Sequence, residues 1–242
     1  MGVREDRLLG GRVRLLQPEG GLRAGHDAVL LAAAVPARAG ETVLELGCGT
    51  GAAFLCLAAR VPGLAVVAVE REPALAALAR ENAALNGIAD RVTVIEGDVA
   101  DPTLRAALPR IAHGFANPPY WDGGSAPPEA IRRAATHEGG ATLPEWAATL
   151  ASATAGRGSA TLILPAARFA EGLAALAGAG FGSPALLPLW PRTGVAAKRV
   201  ILAARRHGRG PGRVLPGLVL HDGNGPGAEA EAILRDGAPL PL

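Results

Sequence analysis

Apolar residues recur along this chain in two alternating ways, as short continuous runs and as longer stretches at helical spacing. That alternation predicts an α/β protein. Thr42–Leu46, Ala65–Glu70, Ala160–Leu164, Leu186–Trp190 and Arg199–Ala203 read as strands, as does Arg91–Glu96, which closes in Gly97-Asp98. Ile111–Ala116 reads as a weaker strand, because His113 and Gly114 interrupt its apolar run. Residues 51–60, 73–86, 143–154 and 166–179 read as helices, the second with Leu75, Leu78 and Leu85 on one face and Gly87 as its stop. Asp27 stands where an N-cap would open a further helix over Ala28–Ala34. Continuous apolar strands separated by helices predict a mostly parallel, seven-stranded sheet with helices on both faces. The Pro- and Gly-rich residues 208–228 read as a loop, with too little chain after them for another domain, so residues 1–242 are expected to form one domain.

Composition narrows the class. The chain has 242 residues, 49% of them hydrophobic, enough for a sizeable core. No apolar run approaches the span of a bilayer, and Met1–Gly21 is too charged for a secretory leader, so a cytoplasmic protein without a membrane partner is expected. Cys48 and Cys56 have a spacing that suits neither a zinc knuckle nor a redox pair, so they are read as buried thiols and no metal is expected. Net charge is only +2, yet Lys198, Arg199, Arg205, Arg206, His207, Arg209 and Arg213 follow one another without an intervening acid. Such a block can meet phosphates, or simply be a solvated strand end.

The candidate chemistry begins with Glu45-Leu46-Gly47-Cys48-Gly49-Thr50-Gly51, at the end of the first predicted core strand. Strand, glycine turn and helix form a nucleotide-binding unit in which bare backbone and helix-terminal N–H groups can approach a ligand. The GxGxG spacing, with Glu45 just ahead of it, resembles the S-adenosylmethionine motif of Rossmann-like methyltransferases rather than a GxGxxG dinucleotide fingerprint. Glu70 ends the next strand about 20 residues past the glycines, where an acid meets a ribose diol. Asp98 ends the third; the resemblance places it at the cofactor's adenine amine, while a turn-capping aspartate is the plainer reading.

Asn117-Pro118-Pro119-Tyr120 follows the weak strand, at the carboxyl edge where open α/β sheets bind ligands. Consecutive prolines stiffen the turn. An aromatic amine delocalises its lone pair into its ring and is a poor nucleophile until its hydrogens are held. The Asn117 side-chain oxygen and the Pro118 carbonyl supply two acceptors for them, and Tyr120 supplies a face for a base. Positioning, rather than a catalytic base, then carries the transfer. Arg132 and Arg133, on the segment after Tyr120, are candidates for phosphate contact.

Together, Arg23–Ala32, Glu45–Gly51, Asn117–Tyr120 and Lys198–Leu202 resemble the bacterial tRNA(Val) adenine-N6 methyltransferase family across nearly the whole chain. The resemblance implies a class I methyltransferase fold, S-adenosylmethionine as cofactor, tRNA as partner, and methylation of an adenine beside the anticodon. It divides the chain into a cofactor-pocket segment (1–38), a Rossmann-like core (39–206) and a C-terminal loop and helix (207–242). It further implies that Gly25 and Asp27 line the cofactor pocket with Glu45, Gly47, Gly49, Gly51, Glu70, Asp98 and Asn117, and that Asn117, Pro118, Pro119 and Tyr120 are catalytic. The chain departs from the family in the His113-Gly114 interruption and in having no aromatic residue between Leu220 and Leu242. Alternatives are an rRNA or DNA base methyltransferase, a protein glutamine methyltransferase, or a non-catalytic RNA-docking module; the oligomeric state is not legible.

Overall fold

The computed structural model describes residues 2–20, 24–119, 141–223 and 225–242. The chain opens with a hairpin of β1 (Val3–Leu8) and β2 (Val13–Pro18), whose turn runs through Leu9, Gly10 and Gly11 at φ of 50°, 63° and 95°. Helix α1 (His26–Ala34) follows, buried at every position from Ala28 to Ala34, as an all-apolar helix must be. The core then alternates β3 (Thr42–Leu46), α2 (Ala52–Arg60), β4 (Ala65–Glu70), α3 (Pro73–Leu85), β5 (Val92–Glu96), α4 (Pro102–Ala107) and β6 (Ile111–Ala116). Beyond it lie α5 (Leu143–Ala153), β7 (Thr154–Pro165), α6 (Phe169–Gly178), β8 (Phe181–Trp190), β9 (Arg199–Arg206), the two-residue strands β10 (Arg213–Val214) and β11 (Leu218–Val219), and α7 (Ala228–Asp236).

One sheet runs in the order β10-β8-β9-β7-β6-β3-β4-β5, with β11 also beside β8. β9 is the reversed strand, antiparallel to both β7 and β8. The seven expected strands are all present, and β10 and β11 extend the sheet to nine from within residues 208–228, which the sequence had presented as loop only. Alternate side chains of the central strands feed two cores. Val43 and Phe115 pack with Leu30, Leu31, Phe54 and Leu57 of α1 and α2 on one face, whereas Leu44, Leu46 and Ala116 pack with Trp146 and Leu150 of α5 on the other.

The weak strand forms despite His113 and Gly114. A Cβ at Gly114 would lie 2.6 Å from Leu150 Cδ2, so glycine lets α5 close onto β6. His113 sits toward the amino end of β6, its Nδ1 2.8 Å from Ser159 Oγ and its Nε2 3.4 Å from Glu41. Neither residue faces the end of the strand that carries Asn117. The hairpin, which the sequence reading did not anticipate, hangs on α3 through Asn82 and Asn86, one helical turn apart. Asn82 accepts from Leu16 N–H (2.7 Å) and donates to Leu16 O (2.9 Å); Asn86 does the same with Arg14 (3.0 and 2.7 Å). Two side-chain amides thus imitate a strand partner. Among the described residues, no helix is long and apolar enough to cross a membrane, and no group of His, Cys, Asp and Glu is placed to hold a metal ion.

Candidate active site

Strand register brings the distant motifs to one edge. Leu46 at the end of β3 lies beside Val69 of β4 and Ala116 of β6, so Gly47, Glu70 and Asn117 occupy adjacent positions along the carboxyl edge. Glu96 lies beside Glu70, which puts Asp98 just past the same edge on β5. This is where an open α/β sheet leaves a crevice.

The glycine turn has three left-handed residues, Gly47, Gly49 and Gly51, at φ of 62°, 55° and 92°. Each glycine meets something different. A Cβ on Gly47 would lie 2.6 Å from the Trp146 ring, and one on Gly51 2.4 Å from the Phe54 ring, whereas Gly49 faces open space. Gly47 and Gly51 are therefore small for packing, and Gly49 leaves bare backbone where a ligand can lie. The loop is anchored by Cys48 N–H to Val69 O (3.0 Å), Gly49 N–H to Glu70 Oε2 (2.8 Å) and the Asn82 amide to Thr50 O (2.9 Å). Both cysteines are buried and unpaired, as expected.

The acids divide by role. Glu45 is 3% exposed, and its Oε2 accepts from Phe54 N–H (2.9 Å) in the first turn of α2, a donor with no partner inside the helix. Burial pushes its carboxyl well above the ordinary range; the Phe54 N–H opposes that and the charge of Glu70 adds to it. Glu70 accepts from Gly49 N–H on one oxygen and Glu72 N–H (3.0 Å) on the other, and a carboxylate with about four lone-pair positions keeps capacity for further donors. Asp98 closes a turn onto Ala100 N–H (2.8 Å) with Oδ1 and is half-buried at the same edge.

Asp27 is not the N-cap of α1. Gly25 occupies that position, and Asp27 lies in the first turn, accepting from Arg199 Nε at 3.0 Å. The pair ties the start of α1 to the start of β9 at the carboxyl edge. Gly25 has nothing within 4 Å of where a Cβ would stand, and the neighbouring Ala24 N–H is held by the buried Gln17 side chain (2.8 Å).

Asn117 carries the most telling feature. Its Oδ1 is buried and has no hydrogen-bond partner among the described residues, at the strand end next to the glycine turn. A buried acceptor left empty costs about 1–3 kcal/mol, so its retention points to a donor that arrives with a ligand. Pro118 is buried and Pro119 exposed. Tyr120, Arg132 and Arg133 lie outside the described residues.

These residues fit S-adenosylmethionine: Gly49 offers an open approach over bare backbone, and Glu70 an acceptor carboxylate with lone pairs to spare. The sequence reading did not single out Asn82, Trp146, Gln17 or the pairing of Arg199 with Asp27. For Asn82 a signal existed, two asparagines at i and i+4 at the end of an alanine- and leucine-rich helix.

A methyltransferase-domain family model matches residues 43–112, the stretch that includes the glycine turn, Glu70 and Asp98. The chain is 32% identical over 206 residues to the tRNA1(Val) (adenine(37)-N6)-methyltransferase of Aeromonas hydrophila, covering 84% of each protein. It is 29% identical to the enzyme of the same name from Shewanella amazonensis, over 76% of this chain and 78% of that one. The crystal structure of a predicted O-methyltransferase from Agrobacterium tumefaciens matches with a TM-score of 0.73 at 26% identity, covering 89% of this chain and 99% of that one. With Asn117 beside the glycine turn at the carboxyl edge of the sheet, and a relative 32% identical over 84% of each chain, this chain belongs to the tRNA1(Val) (adenine(37)-N6)-methyltransferase family.

Proposed function

We propose that the protein transfers a methyl group from S-adenosylmethionine to the exocyclic N6 amine of an adenine in tRNA. The buried Asn117 Oδ1, without a partner among the described residues, carries this reading, because an amine hydrogen is a donor that would satisfy it. S-adenosylmethionine supplies an electrophilic methyl group on a cationic sulfur. Glu70 takes the ribose hydroxyls on its remaining lone pairs, Gly49 lets the ligand lie against backbone, and Asp98 takes the adenine amine of the cofactor with the oxygen not used by Ala100. Gly25 and Asp27 border the methionine end, Asp27 being held there by Arg199. Glu45 shapes the pocket by fixing the first turn of α2, and Gly47 by admitting Trp146.

Asn117 Oδ1 and the Pro118 carbonyl accept the two amine hydrogens, which turns the nitrogen lone pair out of conjugation and toward the methyl group. Both dipoles also stabilise the positive charge that grows on nitrogen during in-line displacement. The proton leaves after transfer, so no strong base is required. Tyr120 supplies the stacking face, with the two prolines fixing the turn that carries it.

Incorporation of labelled methyl from S-adenosylmethionine into unmodified tRNA, rRNA, DNA and release factor tests the proposal. Product should form on tRNA as N6-methyladenine, and Asn117→Ala should lose about a hundredfold or more in rate with cofactor affinity within a few fold. Methylation of only rRNA, DNA or protein, or a fully active Asn117→Ala, would refute it.

A further inference from the structure

The basic block that is continuous in sequence is divided in space. Because β9 runs antiparallel to β7 and β8, Arg199 lies at the carboxyl edge on Asp27, and Arg205 and Arg206 lie at the opposite, amino edge. Arg205 lies six steps along the strand from Arg199, about 20 Å at 3.3–3.4 Å per residue.

At that far edge other arginines join them. Ser159 of β7 lies beside Arg205, which places Arg157 near it; Gly182 of β8 lies beside Arg205 on the other side, and Arg213 of β10 beside Ala185. Arg38, just ahead of β3, approaches from the neighbouring side, since both Arg38 and Arg205 bear on the charge of His113. Arg38, Arg157, Arg205, Arg209 and Arg213 are exposed, and their side chains have no hydrogen-bond or acid partner among the described residues. Glu41 is the acid that enters this run, and it is engaged by Arg38 N–H (2.8 Å) and His113. Arg206 is held differently, its Nη1 donating to Ala179 O (2.8 Å) with the guanidinium over the Phe181 ring. Beside these strand ends a concavity of about 240 Å³ is lined mostly by apolar residues of the end of α1 and the tail 239–242, with Arg60, Arg205 and Arg213 at its wall.

Such a concentration is not a by-product of overall charge. The chain has 24 basic and 22 acidic residues, so unpartnered arginines gathered on one edge form a local positive field in a nearly neutral molecule. Guanidinium groups match phosphate oxygens in bidentate geometry. Arg205 and Arg213 come from strands with β8 between them, and β7 next to β9 brings in Arg157, so spacing of about 4.8 Å per strand sets these groups within a few strand widths of one another.

We propose that the amino edge of the sheet is a second RNA-binding surface, where arginines contact the phosphate backbone of the substrate at a distance from the base being methylated. This rests on the reading of RNA as substrate. A free nucleotide cannot span from one edge to the other, whereas a folded RNA can touch both. The surface therefore contributes to affinity for the whole RNA and leaves the chemistry at Asn117 unaltered.

The test compares wild type with Arg157→Gln, Arg205→Gln, Arg209→Gln and Arg213→Gln combined, and with the corresponding four-lysine variant, on full-length unmodified tRNA. Circular dichroism and cofactor affinity check that each is folded. The glutamine variant should raise KM at least tenfold with kcat within about twofold. Its slope of log affinity against log salt should fall by about 0.7–0.9 for each phosphate that is no longer neutralised, and the lysine variant should keep most of the slope. Unchanged KM and salt slope, or a defect confined to kcat, would overturn the proposal. Wild type that binds tRNA through these arginines but methylates another acceptor would instead overturn the reading of the active site, so the two failures are distinguishable.

Discussion

At Asn117, stability and activity pull apart. Among the described residues its buried Oδ1 has no partner, so the group is an energetic liability unless a donor meets it. Asn117→Ala should therefore unfold at a denaturant concentration no lower than wild type, to within about 1 kcal/mol, while nearly all turnover is lost. An asparagine retained for packing would show the reverse, and chemical denaturation beside the methyl-transfer assay separates the two. Glu45 gives the complementary case. Burial favours its neutral form, and its useful contact is an accepted hydrogen bond from Phe54 N–H. Glu45→Gln keeps an acceptor without a charge and should be as stable as wild type or more so at neutral pH. Glu45→Ala leaves that helix-start donor bare and should lose about 0.5–2 kcal/mol, as removal of other N-terminal caps does.

At the scale of elements, what was legible follows from what the sequence pattern encodes. β3 and β4 are apolar on both faces and α2 and α3 show helical spacing, and the structure places them where the pattern put them; β6 forms despite its interrupted run, and the short α4 ahead of it had no pattern to announce it. β1 was hidden because Val3-Arg4-Glu5-Asp6-Arg7-Leu8 is mostly exposed and charged, and its partner is a strand rather than a core. β10 and β11 are too short for any period to register. Of the site, the chemical residues were legible and their supports were not, since Asn82 acts on residues far away in sequence. Asn82 is fully buried and serves Leu16 N–H, Leu16 O and Thr50 O together. Asn82→Ala strands these groups and should cost several kcal/mol at about 1–3 kcal/mol for each buried one. It should also weaken cofactor binding by loosening the turn at Thr50. Asn86, more exposed, should cost about 1 kcal/mol or less when truncated. Urea denaturation of both variants, with cofactor titration, checks this order.

At the scale of the whole molecule, the pH dependence of stability involves two titrating groups of opposing effect, the half-buried His113 and the buried Glu45, which sit on the neighbouring strands β6 and β3 two register positions apart. His113, toward the amino edge, has its pKa lowered from 6.5, first by burial and further by Arg38 and Arg205, with Glu41 acting in the other direction. Its Nδ1 faces Ser159, which completes the groups around the ring. Because the unfolded chain binds this proton more readily, His113 leaves stability intact above pH 6.5 and reduces it as pH falls from there through the lowered value. Glu45, near the carboxyl edge, has its pKa raised from 4.5, so the folded state holds the proton longer and stability declines as pH rises from 4.5 through the raised value. The two slopes have opposite sign and partly cancel in wild type. In Glu45→Gln the acid is gone, and unfolding midpoints measured from pH 5 to 8 should rise with pH more steeply than in wild type. Adding His113→Gln should flatten that rise. A Glu45→Gln profile parallel to wild type would mean that Glu45 does not bind a proton differently in the folded and unfolded states, and a rise that survives His113→Gln would assign the slope to another group.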